Sequence, residues 1–157
     1  MKLERVETQR NRLASGNLVD DATGTLIDNV TGTVLDINGG VGLISEYLSN
    51  RGCQVTLVDP ERLSFSFRKR LVPDSKVRTM NIDGHDIKLN KPLYDFVIIR
   101  NLTHVELAKK ICKKGIVNLI TMEIEYVVSD TQEHEQVSET NGPTELDEVS
   151  ETSILPS

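Results

Sequence analysis

The stretch TVLDINGGVGLISEYLSNRGCQVTLVDP, residues 33–60, decides the fold of this chain. A short apolar segment at 33–37 is followed by Asn38 and by three glycines within four residues, which end a strand. Residues 43–51 carry apolar side chains at the spacing of one helix face, and Gly52 ends that helix. A second apolar segment at 55–58 leads into Asp59. This order of strand, glycine turn, helix and strand predicts a βαβ unit with a nucleotide-type turn.

The glycine turn and the acid after the second strand predict a cofactor site. Glycines let a backbone approach a ligand, and the start of the following helix offers free N–H groups. An acid after the second strand can accept hydrogen bonds from a ribose diol. The dinucleotide pattern G-x-G-x-x-G fits residues 40–45 only with Ser45 in place of the third glycine. A second pattern, D/E-x-G-x-G-x-G, fits residues 36–42 with Asn38 in place of the first glycine.

The second pattern resembles that of the class I S-adenosylmethionine-dependent methyltransferases, and the resemblance covers residues 33–120. Their cofactor has a cationic amino-acid end and no phosphate, which suits a carboxylate such as Asp36 beside the turn. The resemblance implies an α/β fold, a Rossmann-like three-layer αβα sandwich with a mostly parallel sheet of about five strands. It also implies S-adenosyl-L-methionine as a small-molecule cofactor.

Further site residues follow from the same resemblance. In the family, an acid after the third strand binds the adenine amino group; Asp83 fits by position, and Asp86 is the alternative. A tyrosine–aspartate pair before the apolar run 96–99 resembles the family's motif at the fourth strand. Ligands in such sheets bind beyond the strand ends. The predicted cofactor-binding residues are Asp36, Asn38, Gly39, Gly40, Gly42, Asp59, Asp83 and Arg100.

No catalytic residue is assigned from the sequence. Asn101 and His104 follow the fourth strand, and this position makes them candidates for contact with a methyl acceptor. His85 has no cysteine or histidine neighbour at metal-binding spacing, so it is interpreted as a loop histidine and no metal site is predicted.

The remaining elements are predicted from periodicity and turn residues. Residues 61–71 form a helix with Leu63, Phe67 and Leu71 inward and its basic residues on a solvated face. Strands are expected at 76–81, 93–101 and 116–128. A helix at 105–114, with Cys112 inward, is capped by Gly115.

The composition predicts three segments: an N-terminal helical segment at 1–32, a Rossmann-like core at 33–128 and an acidic, disordered tail at 129–157. Eight of the 24 acidic residues and none of the 18 Lys and Arg residues lie in this tail. Relative to the resembled family, the terminal hairpin strands are missing, so a truncated methyltransferase-like core is expected.

Several classes of partner are disfavoured. Aromatics make up 4% of the chain and tryptophan is absent, which argues against base stacking. The Asn/Asp-Pro-Pro-aromatic loop typical of DNA amino-group methyltransferases is absent after the fourth strand, so direct base readout is not expected. The sequence shows no signal peptide and no apolar run of membrane-spanning length. Two isolated cysteines predict a reduced, cytoplasmic protein.

Three functions remain open. The first is a methyltransferase, or a cofactor-binding relative of one, with the methyl acceptor or protein partner unassigned. The second is a non-catalytic, truncated Rossmann-like module that acts as an assembly, accessory or regulatory subunit. The third is a nicotinamide-linked oxidoreductase, which the residues Gly40, Gly42, Ser45 and Asp59 would support.

Overall fold

A computed structural model describes residues 3–128 of the chain. The helices are α1 (Leu3–Ser15), α2 (Asp21–Ile27), α3 (Leu43–Asn50), α4 (Arg62–Leu71) and α5 (Val105–Ile111). The strands are β1 (Thr33–Ile37), β2 (Gln54–Val58), β3 (Arg78–Met80), β4 (Tyr94–Ile99), β5 (Cys112–Asn118) and β6 (Glu123–Tyr126). A short 3-10 turn, Gly84–Asp86, follows β3, and a second one, Leu102–His104, lies directly before α5. The predicted acidic tail lies outside the described residues.

The six strands form one sheet in the order β3-β2-β1-β4-β5-β6. All neighbours pair in parallel except β5 and β6, which are antiparallel. The chain winds outward from β1 in one direction and from β4 in the other, so the carboxyl ends of β1 and β4 lie side by side. In doubly wound sheets, ligands bind at this switch point. The predicted Rossmann-like, mostly parallel architecture is confirmed.

Helices cover both faces of the sheet, as in a three-layer sandwich. On one face, Val34 and Ile98 pack with Ile27 of α2 and Leu48 of α3. On the other face, apolar residues of β1 and β4 pack with Ile111 of α5. A smaller cluster joins α1, α4 and the glycine turn through Leu13, Val41 and Phe67. The central strands are therefore buried on both sides, as their continuous apolar sequences require.

The C-terminal part of the sheet corrects the predicted boundaries. The predicted helix at 105–114 ends at Ile111, and Cys112 begins β5 instead of lying on a helix face. Gly115 does not cap a helix; it pairs with Phe96 in the parallel ladder, where an added Cβ would approach the Phe96 ring to 3.2 Å. The single strand predicted at 116–128 is two strands joined by a turn, with Met122 at φ 61. The sheet therefore has six strands, one more than expected.

Helix α4 also differs from its predicted orientation. Leu63 is 52% exposed, whereas Ser64, Phe67 and Arg68 are buried. The assignment of all basic residues to a solvated face is thus wrong for Arg68, which is 4% exposed. The helical periodicity predicted that Leu63 and Leu71 face inward, because it counts apolar residues and gives no sign that Arg68 has buried partners elsewhere in the fold.

Candidate functional site

The glycine turn between β1 and α3 adopts a left-handed backbone at Asn38 (φ 53), Gly40 (φ 64) and Gly42 (φ 84). An ideal Cβ on Gly42 would lie 2.6 Å from a Leu57 methyl carbon, so packing against β2 requires glycine there. Of the atoms in the described part of the chain, a Cβ on Gly40 would come within 4 Å of Gln9 Oε1 alone, at 3.6 Å. The turn therefore presents its open side at Gly40, toward helix α1.

Asp59, at the carboxyl end of β2, holds the turn in place. Its Oδ2 accepts a 2.7 Å hydrogen bond from the Gly40 N–H, and its Oδ1 accepts one of 2.7 Å from the Glu61 N–H. Asp59 is 6% exposed. The residue predicted to bind a ribose thus has a structural role that would exist without any ligand.

Arg68 supports the same turn from helix α4. Its guanidinium donates to the Val41 carbonyl at 2.8 Å and to Glu46 Oε1 at 2.7 Å. The Glu46 carboxylate also accepts a 2.7 Å hydrogen bond from the Ser75 hydroxyl. This buried ion pair was not found from the sequence, where Arg68 and Glu46 lie 22 positions apart.

Asp36, the acid that precedes the glycines, is completely buried. Its Oδ1 accepts a hydrogen bond from Arg100 at the end of β4, and its Oδ2 accepts one of 2.7 Å from the Ser45 hydroxyl. Arg100 also donates to the Ile37 carbonyl at 2.9 Å. The charge of Asp36 is therefore balanced within the chain, and Arg100 is the member of the pair that is partly exposed.

A cavity of about 190 Å³ lies where the N-terminal helices approach the turn. Arg12, Asp20 and Arg100 are its charged lining residues, and the turn contributes Gly39 and Val41. Hydrogen bonds from Thr23 hold the pKa of Asp20 below its usual range, so this carboxylate remains ionised. The cavity thus presents two guanidinium groups, of which that of Arg100 is paired with Asp36, and the carboxylate of Asp20, which forms no salt bridge with any side chain that the structure describes.

The N-terminal contribution to this cavity was not identified from the sequence. One signal was present, since Asp20 precedes α2 in the manner of an N-cap residue, and its Oδ1 accepts the Thr23 N–H at 2.8 Å. No local pattern indicates that Arg12 and Asp20 face the glycine turn. Their position depends on how α1 and α2 pack.

The other polar residues predicted to bind the cofactor do not line the cavity. Asn38 Oδ1 accepts a 3.1 Å hydrogen bond from the Gly84 N–H, which ties the loop after β3 to the glycine turn. Asp83 caps the 3-10 turn by accepting the His85 N–H at 2.9 Å. The alternative acid, Asp86, is exposed.

The two candidates for contact with an acceptor differ in exposure. Asn101 is exposed, but its Oδ1 accepts hydrogen bonds from the Thr103 N–H and hydroxyl at 2.9 and 2.8 Å. His104 is 2% exposed and packs against His85, with ring centroids 4.5 Å apart. Burial, together with His85, lowers the pKa of His104, and the Asp83 carboxylate opposes this effect.

The parallel sheet with its switch point, and the glycine turn at the end of β1, define a Rossmann-like α/β protein of the nucleotide-cofactor class. Residues 35–116 match the family model described as "Methyltransferase domain". This match covers about half of the chain, and the chain belongs to that family.

One solved structure shows the same fold, and two further structures are similar to this chain at lower scores. A Methanococcus maripaludis protein described as a candidate S-adenosyl-L-methionine-dependent methyltransferase is 13% identical, with a TM-score of 0.55; the match covers 73% of this chain and 61% of that one. A TehB-like S-adenosylmethionine-dependent methyltransferase from Corynebacterium glutamicum is 23% identical, with a TM-score of 0.48 and coverages of 69% and 61%. The plantazolicin methyltransferase BpumL, in complex with S-adenosylhomocysteine, is 15% identical, with a TM-score of 0.49 and coverages of 72% and 51%.

The chain thus spans between about half and three fifths of the length of these three proteins. A search of functionally curated proteins found no match. Among the helices of residues 3–128, none has the length and apolarity that a membrane crossing needs.

Proposed function

We propose that this chain binds S-adenosyl-L-methionine, with the amino-acid end of the cofactor in the cavity between the glycine turn and helices α1 and α2, and that it transfers the methyl group to an acceptor not yet identified. The observation that carries the proposal is the set of charges at that cavity. Arg12 and Arg100 suit the carboxylate of an amino acid, and Asp20 suits its ammonium group.

The net charge of the residues at and next to the cavity is compatible with such a ligand. Arg12 and Arg100 contribute two positive charges, and Asp20 and the buried Asp36 contribute two negative charges. S-adenosyl-L-methionine carries a carboxylate, an ammonium and a sulfonium group. A neutral site opposes neither its zwitterionic end nor its extra positive charge.

The size of the cavity indicates which part of the ligand it takes. Its volume of about 190 Å³ is below the roughly 300–1,000 Å³ of pockets that enclose drug-sized ligands. The cavity therefore suits the amino-acid end alone. We assign the ribose and adenine contacts to Asp59 and Asp83, which follow β2 and β3 on the same edge of the sheet.

When bound, the cofactor would supply an electrophilic methyl group on its sulfonium sulfur, and S-adenosylhomocysteine would be the leaving group. The residues of this chain would hold and orient the reactant, and correct placement supplies much of the acceleration in such a step. No general acid or base is assigned. Because both cysteines, Cys53 and Cys112, are free and buried, we place the protein in the cytoplasm.

A non-catalytic module is the second candidate. It is favoured by contacts that the turn makes within the chain: Asp36 has both oxygens engaged by other residues, and Gly42 is required by packing. A turn of this shape would persist in a protein that binds no cofactor. A nicotinamide-linked oxidoreductase remains the third candidate.

Calorimetry on the full chain separates these functions. Binding of S-adenosyl-L-methionine and S-adenosylhomocysteine, without binding of NAD or NADP, is expected. Arg12→Gln removes a charged donor worth roughly 1.5–3 kcal/mol, so affinity should fall by about ten- to a hundredfold. Asp59→Ala should lower affinity by a similar factor if the ribose is bound there.

Arg62→Gln is the matched control, because Arg62 is exposed on α4 and does not line the cavity. It should leave affinity unchanged. Absence of binding to folded wild-type protein would reject the cofactor proposal and favour the non-catalytic module. Binding of NAD alone would favour the oxidoreductase.

A further inference from the structure

Two loops on the ligand-binding edge of the sheet bring together three side chains that can bind metals. Asp83 and His85 belong to the 3-10 turn after β3, and His104 ends the 3-10 turn after β4. One potential ligand atom from each residue lies within 4.8 Å of the other two. The sequence separates His85 from His104 by 19 positions, which is why no metal spacing was visible there.

The buried histidine is the observation that requires an explanation. His104 is 2% exposed, and within residues 3–128 neither of its ring nitrogens has a hydrogen-bond partner. An unpaired polar group costs free energy when it is buried, and nearly all such groups in folded proteins have a partner. One ring nitrogen of this buried imidazole lies within 4.8 Å of potential ligand atoms of Asp83 and His85, so a metal ion shared with them would supply the missing partner.

The cluster is held by the surrounding backbone. A Cβ added to Gly84 would lie 2.7 Å from His104 Nε2, so the turn that carries His85 packs directly on the His104 ring. The Gly84 N–H donates to Asn38, and His85 Nε2 lies 2.8 Å from the Thr103 hydroxyl. The two loops are therefore fixed to each other and to the glycine turn, which reduces the cost of arranging the ligands.

The distances fit a small metal ion after a modest rearrangement. Metal–ligand bonds of about 2.0–2.2 Å place adjacent ligands of a tetrahedral ion roughly 3.3 Å apart. Asp83 Oδ1 and His85 Nδ1 are already 2.9 Å apart. The His85 side chain is 56% exposed and can give up its contact with the Thr103 hydroxyl to rotate toward His104, whose buried ring packs against Gly84.

We infer that Asp83, His85 and His104 form a binding site for a divalent transition-metal ion, with Zn²⁺ as the reference ion. Two imidazoles and one carboxylate are ligands that Zn²⁺ accepts, and three protein ligands leave one coordination position open. The site is separate from the cavity proposed for the amino-acid end of the cofactor. It shares only Asp83 with the predicted cofactor contacts, and its test needs no cofactor.

The test is a zinc titration of the full chain after removal of metals and in the presence of a reductant, read by competition with a chromogenic chelator. One ion per chain is expected. His85→Ala and Asp83→Asn should each weaken binding at least about tenfold, because the loss of even an outer partner of a metal ligand costs that much. Both variants should fold, since His85 is exposed and asparagine retains the cap of the turn.

His134 provides the matched control, as the third histidine of the chain and one that stands beside Glu133 and Glu135. His134→Ala should leave zinc affinity unchanged. The absorption spectrum of the Co²⁺ form should show nitrogen and oxygen ligands without the charge-transfer band of a thiolate. The inference is refuted if the wild type binds no zinc, if His85→Ala binds as the wild type does, or if His134→Ala abolishes binding.

Discussion

The buried pair of Arg68 and Glu46 should govern the stability of the glycine turn. Arg68→Met keeps an unbranched side chain of similar length but removes the donors to Glu46, Val41, Gly42 and Ser75. A hydrogen bond between charged groups contributes roughly 1.5–3 kcal/mol, and one to a neutral carbonyl about 1 kcal/mol. The loss should therefore be about 3–5 kcal/mol, which is the range found when one member of a buried ion pair is removed.

The same reasoning predicts that a second substitution restores stability. In Arg68→Met the carboxylate of Glu46, whose side chain is 9% exposed, would retain the Ser75 hydroxyl as its one donor among residues 3–128. Replacing that carboxylate as well, in Arg68→Met/Glu46→Leu, removes the uncompensated charge. Buried ion pairs replaced by apolar residues of similar volume are often neutral in stability. The double variant should therefore recover most of the loss.

Urea unfolding followed by circular dichroism measures both effects, since the chain has no tryptophan for fluorescence. Arg62→Met, at an exposed position of the same helix, is the control and should change stability by less than about 0.5 kcal/mol. A loss below about 1 kcal/mol in Arg68→Met would refute the assigned role of Arg68. A double variant no more stable than the single one would show that the buried charge of Glu46 is not the cause.

Three further outcomes are expected. Asn38→Gly removes the acceptor of the Gly84 N–H but also removes the strain of a left-handed backbone at a residue with a side chain, so the free energy of unfolding should change by less than about 1 kcal/mol. Cofactor affinity should stay within a few-fold of the wild-type value, and a large loss of affinity in calorimetry would contradict this. Ser45→Ala removes the donor to one oxygen of the buried Asp36 and should lower the free energy of unfolding in urea by about 1–3 kcal/mol. A change below about 0.5 kcal/mol would show that the oxygen finds another donor. Because burial lowers the pKa of His104, this residue binds a proton more tightly in the unfolded chain, so the free energy of unfolding of the metal-free protein should be constant above the unfolded pKa of about 6.5 and fall as the pH drops below it. Urea titrations at several pH values should show a flatter dependence on pH for His104→Gln.

Local sequence patterns were sufficient for the centre of the fold. The unit β1–α3–β2 and the apolar strand β4 were predicted because their apolar residues, turn residues and periodicity indicate the same elements over short stretches. The end of α5 was missed because Cys112 continues a helical apolar pattern while its backbone pairs with Tyr94 of β4. The boundary is set by the pairing of β5 with β4, which are distant in sequence, and local propensities contain no information about that pairing.

The candidate site was predicted only in part for a related reason. The glycine turn and Asp59 are contiguous with elements that the sequence defines. The pairing of Asp36 with Arg100, 64 positions apart, depends on β1 and β4 being neighbours in the sheet. The contact between His85 and His104 likewise requires two loops to meet at the carboxyl edge. The sequence showed that these charged and histidine residues were present, but which of them meet depends on the order of the strands in the sheet.

The ion pair between Asp36 and Arg100 changes which part of the chain selects the ligand. From the sequence, the carboxylate before the glycines was the group expected to face the cationic end of the cofactor. In the structure that carboxylate is fully buried and neutralised, and Arg100 is the member of the pair that lines the cavity. Although its charge is balanced by Asp36, the partly exposed guanidinium has only hydrogen-bond donors, so it can donate to a carboxylate and cannot accept from an ammonium group. An amino-acid ligand would therefore direct its carboxylate toward the end of β4 and its ammonium toward Asp20 at the start of α2. We therefore propose that selection of the ligand depends on the N-terminal helices as much as on the glycine turn, because Arg12 and Asp20 line the cavity with charges that the residues of the turn do not carry.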